Sequence, residues 1–93
     1  MVVATFKLHC KPENWLEVNQ SLHGIAAKVK KLDGCNNTEV YQDMGDNNIF
    51  FMVEKWHKQR HLDDHMKTSL FSALLGIRSL LTKEPKIMFL NEG

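Results

Sequence analysis

The sequence predicts an α+β fold of order βαββααβ, with helices segregated to one face of an antiparallel sheet. Three observations carry that expectation: a period-two opening segment, apolar residues at helical spacing behind it, and a turn cluster joining two extended stretches in mid-chain.

Val2 to His9 sets Ala4, Phe6 and Leu8 against Val3, Thr5, Lys7 and His9. That alternation, with its β-branched content, predicts a strand with one mainly apolar face. Lys11-Pro12-Glu13 then places a proline near a first helical turn, and Trp15, Val18, Leu22, Ile25, Val29 and Leu32 follow three or four apart. One amphipathic helix of about five turns is expected, stopped at Asp33-Gly34, where glycine supplies a left-handed conformation. Asn36 to Asp43 is read as a second strand, and Met44 to Asn48 as the turn of a hairpin. Ile49 to Trp56 is the third strand. Its middle, Ile49-Phe50-Phe51-Met52-Val53, is apolar at odd and even positions alike, so both faces are expected to leave water. Lys58 to Thr68 reads as a short helix. Leu70, Leu74, Ile77 and Leu81, with Phe71 and Leu75, make a wider stripe on the next one. Beyond Pro85, Ile87 to Leu90 closes the chain as a fourth strand.

This order is ferredoxin-like, and counting buried faces gives it a consequence. Helices cover one side of the sheet, yet strands 3 and 4 are apolar on both. The uncovered side is expected to be a homodimer interface, unless long side chains or the C-terminal tail cover it within one chain. Length points the same way: 93 residues make one domain, spanning 1–93, and so short a chain buries only ~60% of its unfolded surface.

Twelve Lys plus Arg balance eleven Asp plus Glu, for a formal charge of +1, so no basic footprint for nucleic acid or an anionic membrane is present. Cys10 and Cys35 fit no CxxC pattern and are read as free thiols. With no leader-like opening and no apolar run near 18 residues, a cytoplasmic address is expected. Phosphate-cradling glycine motifs and nucleophile elbows are missing from the sequence, which leaves nucleotide-cofactor and hydrolase readings without a foothold.

Glu54-Lys55-Trp56, followed by the run from His61-Leu62-Asp63-Asp64-His65 to Ser69-Leu70-Phe71, resembles the antibiotic biosynthesis monooxygenase family of dimeric α/β barrels. The matching features are a strand ending in E-x-W, a helix with L-x-x-H, and a small-residue step before an aromatic. Gly34-Cys35 and the Glu39 to Asp43 strand fit the family's "G-C … E-x-x-x-D" hairpin. The resemblance implies a homodimer with sheets packed face to face and a cavity between sheet and helices in each subunit. It implies oxygenation of polycyclic phenols, anthrones or quinols without metal or flavin. Similar proteins degrade haem or isomerise a phosphorylated signalling molecule, and fold does not choose among these chemistries.

On that resemblance, His65 is the candidate base or substrate orienter, imidazole being suited to moving a proton near neutral pH. Glu54 shares a strand face with Phe50, Met52 and Trp56; a carboxylate there is costly without a partner, and it could orient His65. The alternative is that both pack or cap locally. Trp56, Phe50, Phe71 and Leu74 are the expected apolar wall. Asn37, with Asn36 and Thr38, departs from the family pattern and either lines the cavity or serves as a strand-end hydrogen-bonder. Leu70 stands where many relatives have histidine, so a two-histidine site at this end is not expected. Leu74 and Leu75 stand where haem-degrading relatives place an axial histidine, with no obvious Asn partner on strand 1, which disfavours haem degradation. His57, His61 and His65 fall at i, i+4 and i+8, but a metal site is not expected, because no third ligand has a motif of its own. Gly76 interrupts a helix, pointing to close backbone approach, room for a ligand or simple packing. Lys28, Lys30 and Lys31 suit a helix C-terminus. The expected function is cofactor-independent oxygenation of a small aromatic quinol, phenol or anthrone. The alternatives are a non-catalytic ligand-binding or stress-response dimer, or an isomerase of a small polar substrate.

Overall fold

The computed structural model describes residues 1–91. Strand β1 is Val2–His9, and a 3-10 turn at Pro12–Asn14 leads into helix α1, Trp15–Val29. Strands β2 (Cys35–Gln42) and β3 (Ile49–Trp56) follow, then helices α2 (Gln59–Met66) and α3 (Ser69–Gly76), a 3-10 turn at Ile77–Leu80, and strand β4, Lys86–Asn91. The sheet runs β2-β3-β1-β4 with every neighbouring pair antiparallel. The α+β, ferredoxin-like order expected from the sequence is the observed one. Within one chain the sheet is open, with β2 and β4 as its edges.

Register assigns the faces. Leu8 pairs with Phe50, Phe6 with Met52, Ala4 with Glu54 and Val2 with Trp56. All eight side chains are buried, on the side where the helices lie. Val18, Leu22, Ile25 and Val29 of α1, Leu62 of α2 and Leu74 of α3 complete that core. Each large apolar side chain so buried is worth roughly 1.5–3 kcal/mol. On the other face Phe51 and Val53 are half-buried, while Tyr41, Met88 and Leu90 are exposed. Phe89, which pairs with Ala4, is exposed at the β4 edge.

Two expectations are corrected. The first helix ends at Val29 rather than Leu32, and the chain leaves it through a short turn to Gly34, whose φ is +80°. The last helical stripe does not run unbroken to Leu81. It changes to a 3-10 turn after Gly76, and Leu81 instead bridges to Cys10. A methyl group on Gly76 would meet nothing within 4 Å, so close backbone approach does not explain that glycine.

Candidate functional site

Three polar residues are buried among the described residues: Thr38, Glu54 and His65. Thr38 and Glu54 are cross-strand partners on the helix-covered face. Helix α2 is short and rests on the sheet through two buried residues, Leu62 and His65, three apart on one helical face. This packing sets the imidazole over the carboxylate. His65 Nε2 lies 3.3 Å from Glu54 Oε2, with both side chains almost wholly out of water.

The other Glu54 oxygen, Oε1, accepts a hydrogen bond from Trp56 Nε1 at 3.2 Å. The Trp56 ring also stacks on His65, centroids 5.0 Å apart, and Phe71 meets the imidazole edge-on at 5.8 Å. Thr68, the N-cap of α3, donates its hydroxyl to the His65 carbonyl at 2.6 Å and lies 3.4 Å from Nδ1. The Glu54–His65 contact is close enough for an ion pair yet misaligned for a hydrogen bond: Oε2 and Nε2 are both buried without a hydrogen-bond partner. The short separation fixes the two groups as neighbours whatever the direction of the proton. Buried polar atoms left unpaired are rare and costly. A third such atom, His61 Nδ1, belongs to the same neighbourhood.

A cavity of about 190 Å³ adjoins the pair, lined by Leu32, Asp33, Trp56, His61, Asp64, His65 and Thr68. His61 forms part of its rim. Its ring lies against Gly34, where an added Cβ would collide with the imidazole, and its Nε2 is 3.9 Å from Asp33. Beside this end of the sheet the Cys35 thiol contacts the Thr38 hydroxyl at 3.2 Å. Burial pushes its pKa up, a shift the Thr38 hydrogen bond partly offsets and the Glu54 charge reinforces.

Of the residues singled out in the sequence, Glu54, His65, Trp56 and Phe71 come together. Three others lie elsewhere. Phe50 is at the far end of β3 against Trp15, with ring centroids 5.8 Å apart. Leu74 is a core residue and not part of the cavity lining. Asn37 pairs with Lys55 and so sits on the opposite sheet face from Glu54; a bulge between Cys35 and Asn37 precedes it. Thr68 was not singled out, although a hydroxyl residue directly ahead of an apolar helix is a recognisable cap signal. The described residues contain no cluster of three or more metal-ligating side chains. They also contain no helix long and apolar enough to cross a membrane.

The family model for antibiotic biosynthesis monooxygenase matches residues 1–75. The chain belongs to the antibiotic biosynthesis monooxygenase family. Family membership carries a monooxygenase-like role in general terms, and the matched segment spans β1 to α3, including Glu54, His65 and Thr68. Solved structures agree on the fold. A Deinococcus radiodurans protein described under the same family name is 24% identical, with a TM-score of 0.91 over 100% of this chain and 93% of its own. A conserved protein of Methanosarcina mazei is 26% identical, with a TM-score of 0.90 over 99% and 92%. The Mycobacterium tuberculosis protein Rv0793 is 16% identical, with a TM-score of 0.89 over 98% and 93%. No curated protein matches this family member.

Proposed function

We propose that this family member is a cofactor-independent monooxygenase acting on a small aromatic quinol or phenol. The observation that carries the reading is the buried Glu54–His65 pair, whose facing atoms lack hydrogen-bond partners and whose histidine lines a cavity. Such unpaired polar groups call for a reason, and a catalytic role is one.

Cavity size narrows the substrate. At about 190 Å³ it lies just above the ~150 Å³ that holds benzene and below the ~300 Å³ at which sites for drug-sized ligands begin. A one- or two-ring substrate fits that range better than a three-ring anthrone. Asp33 and Asp64 on the rim, with no lysine or arginine among the lining residues, favour a neutral molecule over a carboxylated one.

In the reaction, the pair takes the proton of a substrate hydroxyl, leaving an electron-rich phenolate. The phenolate passes electrons to dioxygen, one oxygen atom forms a new bond to ring carbon, and the second leaves as water with two hydrogens drawn from the substrate. A quinol plus dioxygen thus becomes a hydroxyquinone plus water. Trp56 supplies an apolar wall that excludes competing water, and Phe71 backs the imidazole. The open sheet face, carrying Tyr41, Phe51, Val53, Met88 and Leu90, packs against a second copy to form the homodimer.

Oxygen consumption with hydroquinones and naphthols in chelator-treated buffer tests this directly. Wild type is expected to exceed autoxidation, and His65→Ala and Glu54→Gln are each expected to lose about 100-fold or more. Glu54→Gln keeps the acceptor for Trp56 and offers an amide donor to Nε2, so its stability should match or exceed wild type. Uptake no faster than the blank, or full activity in both variants, would remove the proposal. Thermal stabilisation by such ligands without turnover would instead favour a binding role.

A further inference from the structure

We propose that Thr68 is a positioning residue that sets the tautomer of His65. It holds Nδ1 protonated, so that Nε2 and Glu54 Oε2 face each other as two acceptors sharing a seat for one proton. The argument is a count of hydrogens. A threonine hydroxyl has one hydrogen and two lone pairs. The short 2.6 Å contact commits that hydrogen to the His65 carbonyl. Toward Phe71 N–H and His65 Nδ1, both at 3.4 Å, the oxygen therefore offers only lone pairs. Favourable contact with Nδ1 requires an N–H there. In the neutral imidazole, which carries one N–H, Nε2 is then bare, 3.3 Å from an equally unpartnered carboxylate oxygen. Trp56 fixes Oε1 of the same carboxylate, which holds Oε2 toward the ring.

This arrangement explains why both atoms lack a partner although they are neighbours. A proton delivered to the gap is held by both, and the seat can later return it. Capping α3 needs only the Phe71 contact; the bond to the His65 carbonyl is the additional feature that fixes the hydroxyl's direction. The chemical use of the seat rests on the oxygenase reading above, but the tautomer is observable without any substrate.

Long-range proton–nitrogen NMR correlation on the full nitrogen-15-labelled chain reads it, with the His65 ring assigned by its loss in His65→Gln. The expected spectrum has Nδ1 protonated, with Nε2 bare or sharing a proton. Thr68→Ser should retain that pattern, and Thr68→Val should shift the ring to the Nε2–H form, donating to Glu54. A wild-type ring in the Nε2–H form with bare Nδ1 would overturn the inference, as would an unchanged tautomer in folded Thr68→Val. The wild-type spectrum decides the first point even if the valine variant fails to fold. Absence of oxygen uptake alongside the expected tautomer would defeat the oxygenase reading alone.

Discussion

At one end of the helix-covered sheet face, Leu8, Phe50 and Met52 are buried with Val18 and Leu22 of α1. At the other end, Thr38, Glu54 and Trp56 lie beneath His65 of α2. The first end is hydrocarbon against hydrocarbon, and α1 brings five buried residues to the core. The second leaves polar groups short of hydrogen bonds under a helix of eight residues that has no side-chain N-cap. Stability is concentrated at the apolar end, and the polar end is tolerated because the apolar one holds the sheet. Local opening draws on the weakly anchored elements, which makes α2 the part best placed to admit a ligand.

The sharpest way to break this contrast is Leu8→Ala. Deleting a fully buried leucine costs roughly 2–5 kcal/mol, a large share of the ~5–15 kcal/mol that holds a typical domain folded. Urea unfolding should show that loss while activity per folded molecule stays at the wild-type level. A variant that unfolds at the wild-type midpoint, or one that is stable but inactive, would show that the two ends are not separable.

Gly34→Ala acts at the polar end, where two smaller costs add to a comparable loss. A residue at φ +80° without glycine's freedom costs about 1–2 kcal/mol, and the new methyl would strike the His61 ring, an overpacking worth roughly 1–3 kcal/mol. Adding His61→Ala should recover the clash and leave the backbone cost, a partial rescue visible in a double-mutant cycle. Additivity of the two substitutions would mean that the ring does not rest on Gly34.

The division between the ends was partly legible in the sequence. Alternation in β1 and β3 is local, so it gave the strands and put Glu54 and Trp56 on one face. The approach of His65 to that face was reachable only through family resemblance, because it depends on how α2 docks. Asn37 shows a parity error. Val40 packs on the core, and stepping back by twos places Thr38 inward and Asn37 outward, while the bulge at Cys35 hides that count from a reading that starts at the turn. The break after Gly76 escaped for a different reason: Leu81 leaves the helical stripe to bridge Cys10, a contact between residues far apart in sequence. Thr68 went unnoticed because its importance lies in where one hydroxyl hydrogen points.

The smallest expected effect compares the two cysteines, one at each end. Cys10 is buried in the core, where desolvation first and the Glu13 charge second push its thiol up. Cys35 is also raised mainly by burial, but its electrostatic neighbour is Glu54. A thiol that holds its proton more tightly folded than unfolded binds more protons in the native state. Stability therefore falls as pH rises through the unfolded thiol's range, and alkylation of the folded chain lags behind that of a free thiol. Glu54→Gln removes a charge that matters to Cys35 alone. At fixed, mildly alkaline pH it should modestly speed iodoacetamide labelling of Cys35 and leave Cys10 unchanged. Equal acceleration at both cysteines would point to general loosening. No change at Cys35 would mean that the Glu54 side chain does not hold the thiol's proton in place.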